Sequence, residues 1–320
     1  MTLAPIVLFT YNRPWHTKQT VEALKKNYLA SESELFIYSD GPKNEEAVAR
    51  VREVREYLKT IDGFKKITII ERDRNWGLAN NIIDGVTEIV NEYGKIIVLE
   101  DDLVTSPYFL RFMNEALEVY KDKEKVMHIS GYMYPIRKEG LPDVFFLKPT
   151  SCWGWATWSR AWAFFEKAPD RQIKLLTKEQ IKDFNLNNSY DYWNQLLLNY
   201  KGKLNTWAIF WYLSVYLKGG LSLHPRDSLV QNIGHDASGT HSGKFDIFKV
   251  DISMKEEWEF PHDIAEHHIA RKRLEDYFNK IKPPLWRRMI SRIVPKKVKK
   301  LIKYYTQETS KGSTLYDKVY

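Results

Sequence analysis

The chain has 320 residues, which is enough for one large α/β domain or for one domain with a smaller appendage. Its hydrophobic content of 43% supports a packed core, and its single cysteine, Cys152, excludes an intramolecular disulfide framework and indicates a reducing compartment. The chain has 49 Lys and Arg and 41 Asp and Glu, and its net charge is +8. Residues 280–303 contain ten of the basic residues and no acidic residue, so the rest of the chain has 39 basic against 41 acidic residues and a charge of about −2. We therefore expect no nucleic-acid partner. The sequence also predicts neither a signal peptide nor a membrane-spanning helix.

Four short apolar strands alternate with amphipathic helices in the first hundred residues. The predicted strands are Ile6–Phe9, Glu34–Ser39, Lys66–Glu71 and Ile96–Leu99. Apolar residues recur at helical spacing between them, which predicts one inner face in each helix. These faces consist of Val21, Leu24 and Tyr28 in the first helix, Val48, Val51, Val54 and Leu58 in the second, and Leu78, Ile82, Val86, Ile89 and Val90 in the third. This alternation predicts an α/β fold with a mostly parallel central sheet flanked by helices.

Polar residues follow each predicted strand where it leaves the sheet. They are Thr10 to Arg13, Asp40, Arg72 to Asn75 and Glu100 to Asp102. We expect them to converge, because ligands of open α/β sheets bind at the carboxyl ends of the strands. The three adjacent acids repel one another unless a positive charge joins them, and their oxygen atoms suit Mg²⁺ or Mn²⁺. The alternatives are a solvated acidic turn at residues 100–102 and a plain tight turn at Asp40-Gly41.

Neither G-x-G-x-x-G after the first strand nor G-x-x-x-x-G-K-[ST] occurs in the sequence, so the dinucleotide and P-loop fingerprints are both missing. The motifs present are Thr10-Tyr11-Asn12-Arg13, Asp40-Gly41, Arg74-Asn75-Trp76-Gly77-Leu78 and Glu100-Asp101-Asp102. In this order they resemble the nucleotide-sugar half of a GT-A (Rossmann-like) glycosyltransferase. The likeness is to family-2-type bacterial sugar transferases and to the N-acetylglucosaminyltransferase I group, which carry E-D-D as their D-x-D element. It extends to about residue 243.

The resemblance implies a role for each acidic residue. Asp102 would bind Mn²⁺ or Mg²⁺ together with the donor diphosphate, Asp101 would contact the ribose or a metal-bound water, and Glu100 would contact the sugar. Arg13 and Asp40 would line the base and ribose pocket. The further donor-binding residues implied are Thr10, Asn12, Arg74, Asn75 and Gly77.

Large aromatic rings are dense between residues 145 and 165. We expect Trp153 and Trp155 to reach the acceptor sugar, because aromatic faces stack on sugar C–H faces, and Gly154 to allow close approach of the backbone. The alternative is that most of these rings belong to the core. Cys152 has no neighbouring His in the sequence and is interpreted as a buried bystander.

An inverting transferase needs a general base for the acceptor hydroxyl. The resemblance implies a carboxylate between tryptophans, yet Trp207 and Trp211 enclose Ala208 at the place of the acid. We therefore predict Asp191, with a helix-capping Asp as the alternative. Further open candidates are Glu166, Asp170 and Asp236.

Two histidines lie in a Gly/Ser-rich stretch after residue 231, which we interpret as a mobile lid over the donor. The family likeness makes His241 a candidate metal ligand, since imidazole suits Mn²⁺ more than Mg²⁺. The alternative for such a loop histidine is simple solvation.

The predicted domains are a GT-A catalytic domain over 1–262, with a nucleotide-sugar half (1–125) and an acceptor half (126–262), and a helical basic tail over 263–320. Within this C-terminal basic amphipathic segment a helix is expected at 263–279. Apolar residues from Trp286 to Val294 recur at i, i+3, i+4, i+7 and i+8 among Lys and Arg. This pattern favours an anionic membrane surface, with packing on the main domain as the alternative.

The sequence thus predicts a metal-dependent inverting glycosyltransferase. It would move a sugar from a nucleotide-diphosphate donor, a UDP-linked hexosyl or N-acetylhexosaminyl group, to a glycan or polyprenyl-linked glycan hydroxyl in surface polysaccharide synthesis. The expected location is cytoplasmic, peripheral at the inner face of the cell membrane. The alternatives are a catalytically silent sugar- or lipid-binding subunit and a nucleotidyltransferase.

Overall fold

The computed structural model describes residues 2–235 and 247–282, and ten strands occur within these ranges. They are β1 (Ile6–Thr10), β2 (Glu34–Ser39), β3 (Lys66–Glu71), β4 (Lys95–Glu100), β5 (Leu103–Thr105), β6 (Val126–Ser130), β7 (Val144–Leu147), β8 (Trp155–Trp158), β9 (Leu221–Pro225) and β10 (Val230–Asn232). The four predicted strands are confirmed as β1 to β4, with ends that differ by one residue or fewer.

Ten helices connect these strands in the same described ranges. They are α1 (Pro14–Lys25), α2 (Glu45–Leu58), α3 (Leu78–Tyr93), α4 (Phe109–Val119), α5 (Ser159–Trp162), α6 (Pro169–Gln172), α7 (Lys178–Phe184), α8 (Tyr192–Tyr200), α9 (Ala208–Leu217) and α10 (His268–Ile281). A short 3₁₀ turn covers Ala30–Glu32. None of the described helices combines the length and apolar character needed to cross a bilayer.

Eight strands form one sheet in the order β3-β2-β1-β4-β8-β6-β9-β7, and β5 pairs with β10 in a separate antiparallel ribbon. Strands β1 to β4 are all parallel, with Ile6 opposite Leu35 on one side and Ile97 on the other. Strand β8 runs antiparallel to both β4 and β6, and β9 is parallel to β6. The predicted α/β fold with a mostly parallel sheet and flanking helices is confirmed.

Three residues expected on inner helix faces are exposed instead. Tyr28 is 61% exposed because α1 already ends at Lys25, so the helical spacing no longer applies at residue 28. Val48 and Leu78 are 42% and 46% exposed because each is the chain neighbour of the first buried residue of its helix, Ala47 and Ala79, and so points about 100° away from it.

The helix predicted for residues 263–279 corresponds to α10, which begins five residues later, at His268, and packs on the predicted acceptor half. Its Leu274 and Phe278 belong to the same apolar cluster as Phe145 of β7. Arg271, nearly buried, forms ion pairs through three of its nitrogen atoms: Nη1 to Glu266 at 3.0 Å, Nε to Glu275 at 3.0 Å and Nη2 to Asp183 at 2.8 Å. Residues 283–320, which carry the predicted amphipathic segment, lie outside the described residues.

Asp183 ties this cluster to the neighbouring elements. Burial acts to raise its pKa, but hydrogen bonds from Lys148 and Tyr216 and the charge of Arg271 keep the pKa below its usual value. Lys148 Nζ lies 2.7 Å from Asp183 Oδ2 and the Tyr216 hydroxyl 2.9 Å from the same atom. The network therefore holds α7, α9 and α10 together by charge.

Candidate active site

Three charged side chains meet at the carboxyl ends of β1 and β4. Arg13 Nη2 donates to Asp102 Oδ2 at 2.8 Å and makes a closer ion pair with Asp101 Oδ1. The Tyr11 backbone N–H also donates to Asp101, at 3.3 Å. The first two residues after β4 thus face the turn after β1, as parallel strands that end at one edge require.

The charges of this cluster do not balance. Arg13 supplies one positive charge against three carboxylates, and Asp101 is only 5% exposed. Burial, followed by the charges of Asp102 and Asp101, raises the pKa of Glu100 to about 8 even though Arg13 opposes the shift. Burial likewise raises the pKa of Asp101 above its usual value. One guanidinium thus does not offset three ionised carboxylates, and Glu100 is mostly protonated at neutral pH unless a further positive charge binds nearby.

The ribbon of β5 and β10 brings a second segment against the cluster. The Ile233 N–H donates to the Asp102 backbone oxygen at 2.8 Å, next to the pairing of Asn232 with Leu103. A methyl group added at Gly234 would lie 2.1 Å from Asp102 Oδ2 and 3.0 Å from Arg13 Nη1. The missing side chain of Gly234 therefore provides the space in which the Asp102 carboxylate lies.

Asp40 is buried at the end of β2 and accepts four hydrogen bonds within the protein. Its Oδ1 accepts from the N–H of Gly41 at 2.9 Å and of Trp76 at 2.8 Å. Its Oδ2 accepts from Asn75 Nδ2 at 3.1 Å and from the Gly77 N–H at 3.0 Å. These donors use the full acceptor capacity of a carboxylate. Asp40 thus shapes the loop before α3, and the base contact implied for it stays a prediction.

The other donor-binding residues predicted from sequence lie in the same two turns. Thr10 is buried at the end of β1, and its backbone oxygen accepts from the Asp40 N–H at 3.0 Å. Asn12 is half-buried beside Arg13, whereas the Arg74 side chain is exposed and its backbone packs on Gly41. The structure therefore brings the four strand ends together at one edge, as expected.

The two tryptophans predicted to reach the acceptor, Trp153 and Trp155, differ in how far they are buried. Trp153 is half-buried, with its ring 5.2 Å from that of His235, which follows Gly234. Trp155 is only 1% exposed and stacks between His128 and Trp207 at 5.4 and 5.3 Å. The prediction that Trp155 reaches the acceptor is wrong, because in β8 its side chain faces the core.

The prediction for Gly154 is also wrong. This buried glycine has φ +67°, and a methyl group added to it would lie 2.8 Å from Val230 and 3.2 Å from Phe109. Its carbonyl accepts from the Gly131 N–H at 2.7 Å. The close backbone approach that Gly154 permits is therefore to the protein itself.

The candidate bases occupy different environments. Asp191 is exposed and caps α8, with its carboxylate accepting from the Asn194 N–H at 3.3 Å. Glu166 pairs with Arg171, and Asp170 is exposed in the first turn of α6. Asp236 and His241 lie outside the described residues. The capping role of Asp191 is thus observed, and its role as base stays a prediction.

The cluster fits a divalent cation in charge and in ligand chemistry. When all three carboxylates are ionised they exceed the charge of Arg13 by two, which a divalent cation would offset, and their oxygens are the ligands that Mg²⁺ and Mn²⁺ take. Among the described residues no group of three or more His, Cys, Asp or Glu is arranged so that it could hold a metal ion without other ligands. A metal of this type is commonly held by one or two carboxylates together with substrate phosphates, so a full protein cage is not required.

Residues 6–145 match glycosyl transferase family 2. The matched range is a little less than half of the chain and includes Arg13, the Asp40 loop and Glu100 to Asp102. No curated protein sequence matches the chain. The crystal structure of S. aureus TarS is similar to 71% of the chain with 10% identity and a TM-score of 0.38, and the matched part is 36% of the TarS chain.

The contribution of the β5–β10 ribbon to this site was not predicted from the sequence. Gly234 and Ile233 lie about 130 residues from Asp102 in the chain, and three-residue strands such as β10 carry too few residues to show a period. The glycine-rich composition after residue 231 was the available signal, and it indicated a loop rather than this contact.

Proposed function

We propose that this protein is a metal-dependent, inverting glycosyltransferase that uses a nucleotide-diphosphate sugar, UDP-linked, as donor. Within family 2 we propose a likeness to the N-acetylglucosaminyltransferase I group and transfer of a hexosyl or N-acetylhexosaminyl unit. The observation that supports the proposal is the cluster of Arg13, Asp101 and Asp102 at the carboxyl edge of a parallel sheet, in the range that matches glycosyl transferase family 2.

In this proposal Asp102 and Asp101 hold Mn²⁺ or Mg²⁺, which when bound offsets the negative charge that develops on the leaving diphosphate. Arg13 lies against both carboxylates and orients them, and its guanidinium contributes a fixed positive charge beside the diphosphate. The Asp40 loop positions the backbone around the nucleoside. Glu100, half-buried at the end of β4, faces the donor sugar.

The acceptor in this proposal is a glycan hydroxyl, including that of a polyprenyl-linked glycan in surface polysaccharide synthesis. Asp191 is the proposed base because it is a carboxylate flanked by the aromatic Tyr190 and Tyr192 on the acceptor half. We also propose that residues 283–320 bind the inner face of the cell membrane through their basic amphipathic pattern.

The test measures transfer and hydrolysis of UDP-glucose, UDP-galactose, UDP-N-acetylglucosamine and UDP-N-acetylgalactosamine in the presence of Mn²⁺. We expect turnover of at least one donor by the wild-type protein and none by Asp102→Ala. Binding of a donor without turnover would instead favour the catalytically silent subunit. Release of pyrophosphate from a nucleoside triphosphate would favour the nucleotidyltransferase.

Asp191→Asn separates the base from the helix cap. Asparagine caps helices about as well as aspartate, so we expect unfolding to stay unchanged while kcat falls about 100-fold or more. Wild-type turnover in this variant would remove Asp191 from the mechanism. Glu179→Gln, which changes an exposed carboxylate in the first turn of α7 that is not a candidate base, is the matched control.

A further inference from the structure

Strand β3 (Lys66–Glu71) forms one edge of the eight-stranded sheet. Within the described residues it pairs with β2 alone, at six consecutive positions and without a register shift. Its central residues, Ile67 to Ile70, are uncharged, and each is half-buried. The open side of β3 is therefore a row of unpaired backbone groups beside apolar side chains, to which a further strand can add.

The opposite edge of the sheet, β7, is arranged differently. All four of its residues are buried, Phe146 forms a bridge with Glu266, and the His267 N–H donates to the Phe146 carbonyl at 2.9 Å. Edge strands that stay single are commonly interrupted by a proline, a bulge or an inward-pointing charge. The residues between Lys66 and Glu71 have none of these features, and no described strand pairs with them on the open side. This edge is therefore suited to pairing with another chain.

The pairing with β2 determines which backbone groups of β3 are unpaired. The Arg72 N–H donates to the Ser39 carbonyl at 2.9 Å, and the direction of hydrogen bonding alternates from residue to residue along a strand. The even-numbered residues of β3 thus bond to β2, whereas the N–H and C=O groups of Ile67 and Ile69 point to the open side. In an antiparallel pair of identical strands these groups face one another across a two-fold axis, so one residue of β3 lies opposite its own copy.

Charge and side-chain pairing favour Thr68 as the residue that lies opposite its own copy. In this register Ile67 lies opposite Ile69 of the second copy, and Lys65 lies opposite Glu71 of the second copy. Each of these pairs occurs twice because of the symmetry. Pairs of threonines and pairs of opposite charge stabilise neighbouring strands, and the isoleucine pairs bury apolar surface. The sequence of β3 is therefore complementary to its own copy when the copy is reversed about Thr68.

The two neighbouring registers are less favourable. If Ile69 lay opposite its own copy, Lys66 would face Arg72 of the second copy and Ile67 would face Glu71. Like charges would then meet, and the isoleucine pairs would be lost. If Ile67 lay opposite its own copy, the overlap of the two strands would be limited to residues 66–68. The register about Thr68 therefore combines a long overlap with complementary charge.

We propose that this protein forms a symmetric dimer through β3, in which the two strands are antiparallel and Thr68 lies on the two-fold axis. The pairing satisfies the backbone groups of Ile67 and Ile69 and joins the two sheets into one. The side chains of Lys65 and Glu71 are 62% and 39% exposed, so each can contact its oppositely charged counterpart in the second copy. The partner at this edge is therefore a second copy of this chain, and the inference does not depend on the proposed function.

Sedimentation velocity over a dilution series of the full chain tests the charge pairs, and we expect an equilibrium between dimer and monomer for the wild type. Glu71→Lys turns both ion pairs with Lys65 into like-charge pairs, so the dissociation constant should rise at least about 5-fold. The double variant with Lys65→Glu and Glu71→Lys exchanges the two charges, and its dissociation constant should return towards the wild-type value. Glu118→Lys, which reverses an exposed, ion-paired carboxylate in α4, is the matched control and should leave the equilibrium unchanged.

Disulfide formation tests the register. Facing residues that share no backbone hydrogen bonds have Cα atoms about 4.5 Å apart, which is a separation that a disulfide can span. Oxidation of Thr68→Cys should therefore give a covalent dimer, whereas Lys66→Cys, whose own copy lies four positions away along the strand, should stay unlinked; the wild type, with Cys152 alone, measures the background. A wild type that is monomeric at every concentration, a Glu71→Lys variant that dimerises like the wild type, or a disulfide at Lys66→Cys in place of Thr68→Cys would each overturn the inference.

Discussion

Replacement of Asp40 by asparagine separates its observed structural role from the base contact that the family likeness implies. Asparagine can keep Oδ1 as acceptor for the N–H groups of Gly41 and Trp76. Its amide nitrogen would then face two donors, the Gly77 N–H and Asn75 Nδ2, which lie 3.0 and 3.1 Å from the present oxygen. The variant thus loses two hydrogen bonds to a buried charge, and its amide N–H groups point at the N–H groups of Gly77 and Asn75.

The magnitude follows from these contacts. A hydrogen bond to a charged group contributes about 1.5–3 kcal/mol, so the two lost bonds remove about 3–6 kcal/mol before relaxation. The loop can recover part of this loss by moving, although a flip of the Asn75 amide would break its bond to the Gly41 carbonyl at 2.8 Å. We expect the free energy of unfolding to fall by about 2–4 kcal/mol.

Urea unfolding of Asp40→Asn, with UDP affinity measured in parallel, is the assay. Asp73→Asn is the matched control, because it removes the same charge from an exposed side chain of the neighbouring turn. Unfolding within about 0.5 kcal/mol of wild type would refute the structural role of Asp40. If UDP affinity then fell as well, the base contact implied by the family would be the correct role.

Three further predictions follow from the site and its surroundings. Gly234→Ala places a methyl group against the Asp102 carboxylate, so we expect the affinity for UDP in Mn²⁺ to fall at least about 10-fold. The same change made in the Asp102→Ala variant should cause no further loss of affinity. Calorimetry in which the losses of the two single variants add up in the double variant would contradict this prediction. Trp155→Ala should lower the free energy of unfolding by about 3–5 kcal/mol, because this ring lies in the core. Trp153→Ala should lower the rate of transfer to the acceptor and have a smaller effect on unfolding. If Trp155→Ala reduced transfer while Trp153→Ala mainly reduced stability, Trp155 would be a substrate contact after all. Asp183→Asn should destabilise the protein at pH 7. Because the pKa of Asp183 is lowered in the folded state, the stabilisation that its charge contributes is present above the unfolded pKa of about 3.9 and is lost as the pH falls from there through the folded pKa. If the variant and the wild type differed as much in urea unfolding at pH 3 as at pH 7, the charge of Asp183 would not be responsible.

The sequence was sufficient for the donor half of the fold because each of its signals is local. Strands such as Glu34–Ser39 are continuous apolar or β-branched runs with polar ends, and β-α alternation leaves few topologies for them. Once the four strands are parallel, Arg13 and Asp102 must end at the same edge. That consequence of topology made the acidic cluster predictable without side-chain detail.

The acceptor half was less predictable because its residues are placed by pairings distant in sequence. Trp153 and Trp155 are two positions apart, yet one borders the site and the other stacks on His128 in the core. A strand turns alternate side chains to the same face, so the two rings would share a face if both lay in β8. Trp153 lies before β8, and Gly154, which has a positive φ, stands between the two tryptophans and changes the backbone direction there.

The central claim is that the carboxylates at the end of β4 bind a nucleotide diphosphate through a divalent cation. Calorimetry of UDP binding in Mn²⁺ and in EDTA, with the wild-type protein and Asp102→Asn, tests this most directly. We predict that UDP binds the wild type at least about 10-fold more tightly in Mn²⁺ than in EDTA, and that the difference disappears in the variant. Equal affinity of the wild type in Mn²⁺ and EDTA would contradict the account.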